Sequence, residues 1–177
     1  MLTFKSMHLP SLYYVLNWRR KLAFNEKRNL LYIHDLAEFN EEWLIYTKVA
    51  QKIRWPEKQQ MGLQVLLCLL ARATPSKGHD SFFNCLGRPL IPGMEFDESR
   101  FQQIISAKSW NEFFTAMRSA VKHLNIIKAS YTTADLCHLV FHRAVEWQDK
   151  KSFLWDAKDA FSLIASDQFY NGRYQVA

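Results

Sequence analysis

The chain predicts an all-α fold, a compact bundle of about seven helices, and three observations carry that prediction. Its 177 residues include only 5 Gly and 5 Pro, too few breakers for a many-turned β protein. Aromatic residues make up 15 % of the chain, and apolar side chains recur at helical spacing with no convincing alternating strand. A hydrophobic content of 49 % against 23 % charged residues excludes a disordered chain, and the length suits one domain with its own core.

The elements follow in order. Residues 11–24 place Leu12, Val15, Leu16 and Leu22 on one side, and Arg19, Arg20 and Lys21 crowd the end where cations suit the helix dipole. After the polar stretch 25–29, a second segment carries Leu30, Leu31 and Ile33. Asn40 is an N-cap, with Glu41 and Glu42 in the first turn, for a helix running to about Arg54 with Trp43, Leu44, Val49 and Ile53 inward. Pro56 stops it and suits the first turn of a helix over 57–73, which is apolar nearly all round from Leu63 to Leu70 and so is the central buried element.

The stretch 74–96 holds Pro75, Gly78, Gly87, Pro89, Pro92 and Gly93 and reads as a loop joining two sub-bundles, 1–73 and 97–177. Beyond it, Asp97 opens a helix with Phe101, Ile104 and Ile105 inward. Ser109 with Glu112 predicts a capping box for 109–124, and Thr132 with Asp135 another for 133–147. The last helix, about 149–166, is amphipathic through Phe153, Leu154, Ala157, Phe161 and Ile164, and the polar tail from Asp167 is expected to fray.

Three scattered cysteines, Cys68, Cys85 and Cys137, suggest no disulfide framework and point to a reducing compartment. The N-terminus lacks a signal-peptide pattern, and no apolar run reaches the ~18 residues of a membrane span, so a cytoplasmic, unanchored protein is expected.

Few features suggest catalysis. The glycines form neither a dinucleotide-binding nor a P-loop pattern. His138 and His142 lie one turn apart beside Cys137, but H-E-x-x-H is absent and two semi-buried histidines on an ordinary helix account for the spacing. Asp156 and Asp159 resemble helix-surface charge pairing. The expectation is a protein that is not an enzyme and has neither cofactor nor metal.

The net charge is +6, and all of it lies in residues 1–88, with 13 Lys/Arg against 7 Asp/Glu, whereas residues 89–177 hold 10 of each. Lys48 and Lys52, and Arg118 and Lys122, are pairs one turn apart; Arg100 and Lys108 flank a helix, and Lys150 and Lys151 open the last one. Scattered cations of this kind suit phosphate tracking, and they also suit plain solubility. Trp18, Trp43, Trp55 and Trp147 are stacking platforms or core residues.

The run Trp55-Pro56-Glu57-Lys58-Gln59-Gln60, leading into a helix that ends Cys68-Leu69-Leu70-Ala71, resembles the CasB family, the small subunit of the type I-E CRISPR Cascade complex. Cys85-Leu86-Gly87-Arg88-Pro89-Leu90 is similar to that family's LGRxL signature, and Glu98-Ser99-Arg100-Phe101-Gln102-Gln103-Ile104-Ile105-Ser106-Ala107 is similar to its following helix. The resemblance covers about residues 55–165. It implies an all-helical, non-catalytic subunit that sits as a pair with a second copy of itself, between the large subunit and the repeated backbone subunits of a guide RNA-containing complex. There it would help hold the displaced single-stranded DNA and the guide–target hybrid of the R-loop, a task that needs a positive, sequence-tolerant track.

By the resemblance, the basic positions are Arg28, Lys58, Arg88, Arg100, Lys108, Arg118, Lys150 and Lys151. Family positions often basic are here Gln64, Ser99, Ser106 and Ser119, with Lys122, Lys48 and Lys52 as candidate replacements. Arg88 has a second reading, in which Gly87 permits a tight turn and Arg88 caps a helix end or pairs with an acid. Most of these positions lie in the neutral second half. Arg100, Lys108, Arg118, Lys150 and Lys151 are expected to converge on one face, with the first-half excess forming a basic flank of the same track, or contacts to a subunit or guide RNA. The alternative from another class is a helical scaffold that binds only protein.

Overall fold

A computed structural model describes residues 3–40, 44–74, 78–148 and 160–174; the side chains of residues 44 and 45 lie outside the description. The described residues form nine α-helices: α1 Leu9–Arg20, α2 Phe24–Tyr32, α3 Leu44–Lys52, α4 Gln60–Arg72, α5 Phe82–Gly87, α6 Glu98–Ile105, α7 Trp110–Ile126, α8 Thr133–Gln148 and α9 Ala160–Tyr174. A 3-10 turn, Leu36–Glu38, lies between α2 and α3. Among these residues there is no strand, only one isolated bridge between Asp80 and Tyr131. No helix among the described residues is long and apolar enough to cross a membrane.

The fold is all-α, as predicted, and α4 is its centre. Every residue from Gly62 to Ala71 is buried, because α4 packs against α2 on one side and against α7 and α8 on the others. The contacts fall into two sub-bundles that share α4 and one continuous hydrophobic core. α4 begins at Gln60 and not at 57: Pro56 opens a tight turn closed by the Gln59 amide donating to its carbonyl, and Trp55 locks that turn by donating Nε1–H to Gln59 O at 2.7 Å.

Two predicted N-caps are present, although the Glu112 carboxylate accepts from Lys108 N at 2.8 Å and not from Ser109 N, so the box at Ser109 is only half formed. Asp97 accepts from the amides of Ser99 and Arg100, and Ser109 accepts from Glu112 N at 3.2 Å. Thr132 and Asp135 do not form a capping box. Thr132 Oγ1 accepts from Ala134 N, whereas the Asp135 carboxylate leaves its own helix and accepts from Phe82 N at 2.7 Å, holding the start of α5.

The stretch 74–96 is more than a loop. Ser81 caps α5, which is buried from Phe82 to Gly87, and its closest neighbour is α9. The two helices touch backbone to backbone at Gly87 and Gly172: a Cβ on Gly87 would lie 1.9 Å from Phe169 O, and one on Gly172 would lie 2.1 Å from Asn84 O. Gly87 therefore serves close approach and not a tight turn; the glycine with a left-handed backbone is Gly93, at φ +78°. The expected fraying from Asp167 is also corrected, since α9 runs to Tyr174 and Phe169 is fully buried with its ring stacked on Phe101, centroids 4.0 Å apart. The first part of the predicted last helix, 149–159, lies outside the described residues, as do Trp43, Asp156 and Asp159.

His138 and His142 act as acceptors: the Met7 amide donates to His138 Nδ1 at 3.1 Å and the Lys5 amide to His142 Nδ1 at 2.8 Å. Their one-turn spacing staples the N-terminal segment along α8, and Phe4 and Met7 enter the core beside them. Burial lowers the His138 pKa, which keeps that ring neutral and able to accept.

Asp135 makes stability depend on pH. Burial pushes its carboxyl up to about 6. The folded chain then holds this proton more tightly than the unfolded chain, so its contribution is complete below about pH 4 and is lost as pH rises through about 6, by at most about 1.4 kcal/mol per unit. In Asp135→Asn the amide oxygen still accepts from Phe82. Urea midpoints at pH 5 and pH 8 are expected to show a smaller fall for this variant than for the parent.

Candidate nucleic-acid interface

A polyanion needs cations that the fold has not already used, and the structure separates the two groups. Four arginines cap helix ends or pair internally. Arg72 of α4 donates to Leu30 O at 2.8 Å, Leu31 O at 2.8 Å and Ile33 O at 2.6 Å, so its positive charge sits on the negative end of α2. Arg143, almost wholly buried, pairs with Glu146 at 2.9 Å, donates to Ile105 O at 3.1 Å and lies over the Phe161 ring. Arg173 reaches Phe96 O and Glu98. Arg88 pairs with Asp80 at 3.1 Å and donates to Asn84 Oδ1 at 2.7 Å, tying the end of α5 to its own beginning.

The other positions marked by the resemblance are distributed. Lys58 and Lys108 are exposed near one end of the bundle, where Lys58 N donates to Gln148 and Lys108 lines a depression with Gln59, Trp110 and Trp147. Arg118 faces His34, with Nη1 2.7 Å from the ring Nδ1, and lies over Phe114; Lys122 is exposed one turn beyond. Arg100 is exposed on α6 and helps hold the half-buried His123 imidazole below its usual pKa, after burial itself. Arg28 is exposed on α2. Lys150 and Lys151 lie outside the described residues. Lys58 and Lys108 lie at a common end of the bundle, where Gln59 and the end of α8 meet.

Three further cations line a cleft that the resemblance does not mark. Between α1, α2, α4 and the start of α8 is a cleft of about 670 Å³, lined by Arg19, Arg20, Lys27, Thr132 and Thr133 over a floor that includes Leu16, Leu22 and Leu70. Its lining has three cations and no carboxylate. Arg19 lies in the last turn of α1, as the sequence predicts, and its side chain reaches across to α4: its Nε–H donates to Leu70 O at 2.9 Å and its terminal amino group to Ala73 O, at the negative end of that helix. Burial lowers the Arg19 pKa, and Arg20 beside it acts in the same direction. The side chains of Arg20 and Lys27 are exposed and make no hydrogen bond or ion pair among the described residues. The nearest acid in sequence, Glu26, is occupied in accepting from Ala23 N at 3.1 Å. The first turn of α8 adds its partial positive charge to the same rim.

Arg19, Arg20 and Lys27 carry no motif, so position along the chain did not mark them as a site. They belong to the charge excess of residues 1–88, which is spread over thirteen cations and does not single them out.

A second cavity, about 570 Å³, is of opposite character, with Asp80 and Asp135 beside Arg88 and His138. Among the described residues no three His, Cys, Asp or Glu side chains gather as a metal site. Burial pushes the Cys68 and Cys137 thiols up to about 12 and Cys85 to about 11, so all three are thiols and not thiolates at neutral pH. Comparison with protein-family models, curated proteins and solved structures finds no match to the chain.

Proposed function

We propose that the chain is a non-catalytic, phosphate-binding helical subunit, and that it acts as the small subunit of a type I-E-like RNA-guided surveillance complex in antiviral defence. The observation that carries the phosphate-binding reading is the cleft whose lining holds no carboxylate and leaves Arg20 and Lys27 unbonded among the described residues, beside an Arg19 that is bonded to the end of α4. The finer reading rests on the resemblance of about residues 55–165 to the CasB family. In that role the subunit binds a second copy of itself and the large and backbone subunits around a guide RNA, and it holds the displaced strand and the guide–target hybrid. Sequence is read by the guide, so the cleft needs only to neutralise phosphates, which lysine and arginine do without regard to base.

The experiment is a titration of the protein with a labelled single-stranded DNA of mixed sequence at 50 and 200 mM salt. The expected result is measurable binding at 50 mM that weakens several-fold or more at 200 mM, as release of counterions from neutralised phosphates requires. An absence of binding at 50 mM would contradict the proposal.

A further inference from the structure

The cleft explains phosphate binding but does not by itself distinguish a single strand from a duplex, and the neighbouring surface of α2 does. Phe24, Arg28 and Tyr32 follow one another at four-residue steps, so they line one side of the helix, and Lys27 and Leu31 complete the same face. Phe24 is 78 % exposed and Tyr32 67 %, and Leu31 is 39 % exposed, whereas Leu30 on the opposite side is fully buried against the core. This outward face thus carries two aromatic residues whose backbone positions are about 12 Å apart along the helix, with an arginine between them and no acid. Lys27 belongs both to this face and to the cleft wall, so the two surfaces are continuous. The tryptophans Trp18, Trp55 and Trp147, by contrast, are half-buried and packed against the core.

Resting on the phosphate-binding reading, we infer that the outward face of α2 stacks unpaired bases on Phe24 and Tyr32 while Arg28 and Lys27 hold the intervening backbone. Base faces are available in a single strand and hidden in a duplex, so this face makes the protein selective for single-stranded nucleic acid. The charge of the face argues for this occupant: a polyanion complements its two cations, and unpaired bases cover its rings. Arg72, bonded to the Leu30 and Leu31 carbonyls, seats the platform on α4.

The test compares the parent with Phe24→Ala/Tyr32→Ala on a single strand and on a duplex of equal length, at several salt concentrations. Both side chains are exposed, so the variant is expected to fold with an unchanged circular dichroism spectrum. Expected are a loss of roughly 10- to 100-fold in single-strand affinity, an unchanged salt slope and an unchanged duplex affinity. The aromatic-retaining variant Phe24→Tyr/Tyr32→Phe is expected to bind as the parent does. If the alanine variant binds single strands like the parent while the parent shows salt-dependent binding, stacking is wrong and the phosphate reading stands. A parent with no salt-dependent binding would overturn both. If sedimentation shows that the alanine substitutions abolish self-association and leave single-strand affinity unchanged, the face joins two copies of the chain and the inference is overturned.

Discussion

Gly172→Ala is expected to destabilise the protein by about 3 kcal/mol or more, lowering the melting temperature by roughly 6–12 °C. The reason is contact between main chains. A methyl group on Gly172 would lie 2.1 Å from the Asn84 carbonyl oxygen, and one on Gly87 1.9 Å from the Phe169 carbonyl oxygen, so either substitution must push α5 and α9 apart. Side chains can rotate away from an intruding methyl, but helix backbones move only as units, and here they would carry Phe82, Phe83 and Phe169 with them. Gly93→Ala provides the contrast. Nothing lies within 4 Å of a Cβ there, and the cost is confined to the left-handed backbone at φ +78°, about 1 kcal/mol. Thermal melts of the three variants check the ranking, and a Gly172→Ala protein as stable as Gly93→Ala would show that α5 and α9 do not cross as described.

The second large effect concerns binding. Arg20→Glu/Lys27→Glu is expected to weaken single-strand binding by roughly 10- to 100-fold with little change in melting temperature, because both side chains are exposed and make no bond within the described fold. Replacing Arg88 should behave in the opposite way. Its guanidinium holds Asp80 and Asn84, so Arg88→Ala loosens the end of α5 while its effect on binding is smaller. Fluorescence anisotropy together with thermal melts separates the two classes of arginine.

Much of the helix content can be read from local signals. Asp97 and Ser109 make their capping bonds with their own helices, and the nearly all-apolar run Leu63–Leu70 announces the central position of α4. The failures share a physical cause, which is that the deciding partner is distant in sequence. α5 is six residues long, too short to be stable alone, and exists because α9 covers it. The tail after Asp167 looks polar, but Phe169 finds Phe101 some seventy residues away. Asp135 resembles a capping acid until Phe82 N proves to be its partner.

The same cause governs the site. Whether an arginine is available to a ligand or spent on a helix end depends on which carbonyls lie beside it, and no spacing rule supplies that. Arg72, Arg88 and Arg143 are engaged in tertiary contacts, whereas Arg20 and Lys27 are left facing a cleft. The excess charge of residues 1–88 includes Arg20 and Lys27 but is spread along that whole stretch, so it does not single out the α1–α2 corner where the cleft opens.

The central claim is that the cleft neutralises phosphates, and the dependence of affinity on salt tests it most directly. Plotting the logarithm of the single-strand binding constant against the logarithm of salt concentration gives a slope proportional to the number of phosphates neutralised, about 0.7 for each in a single strand. The account predicts that Arg20→Glu/Lys27→Glu flattens this slope by about 1.4 relative to the parent, one phosphate for each residue removed. A variant whose slope equals that of the parent would contradict it.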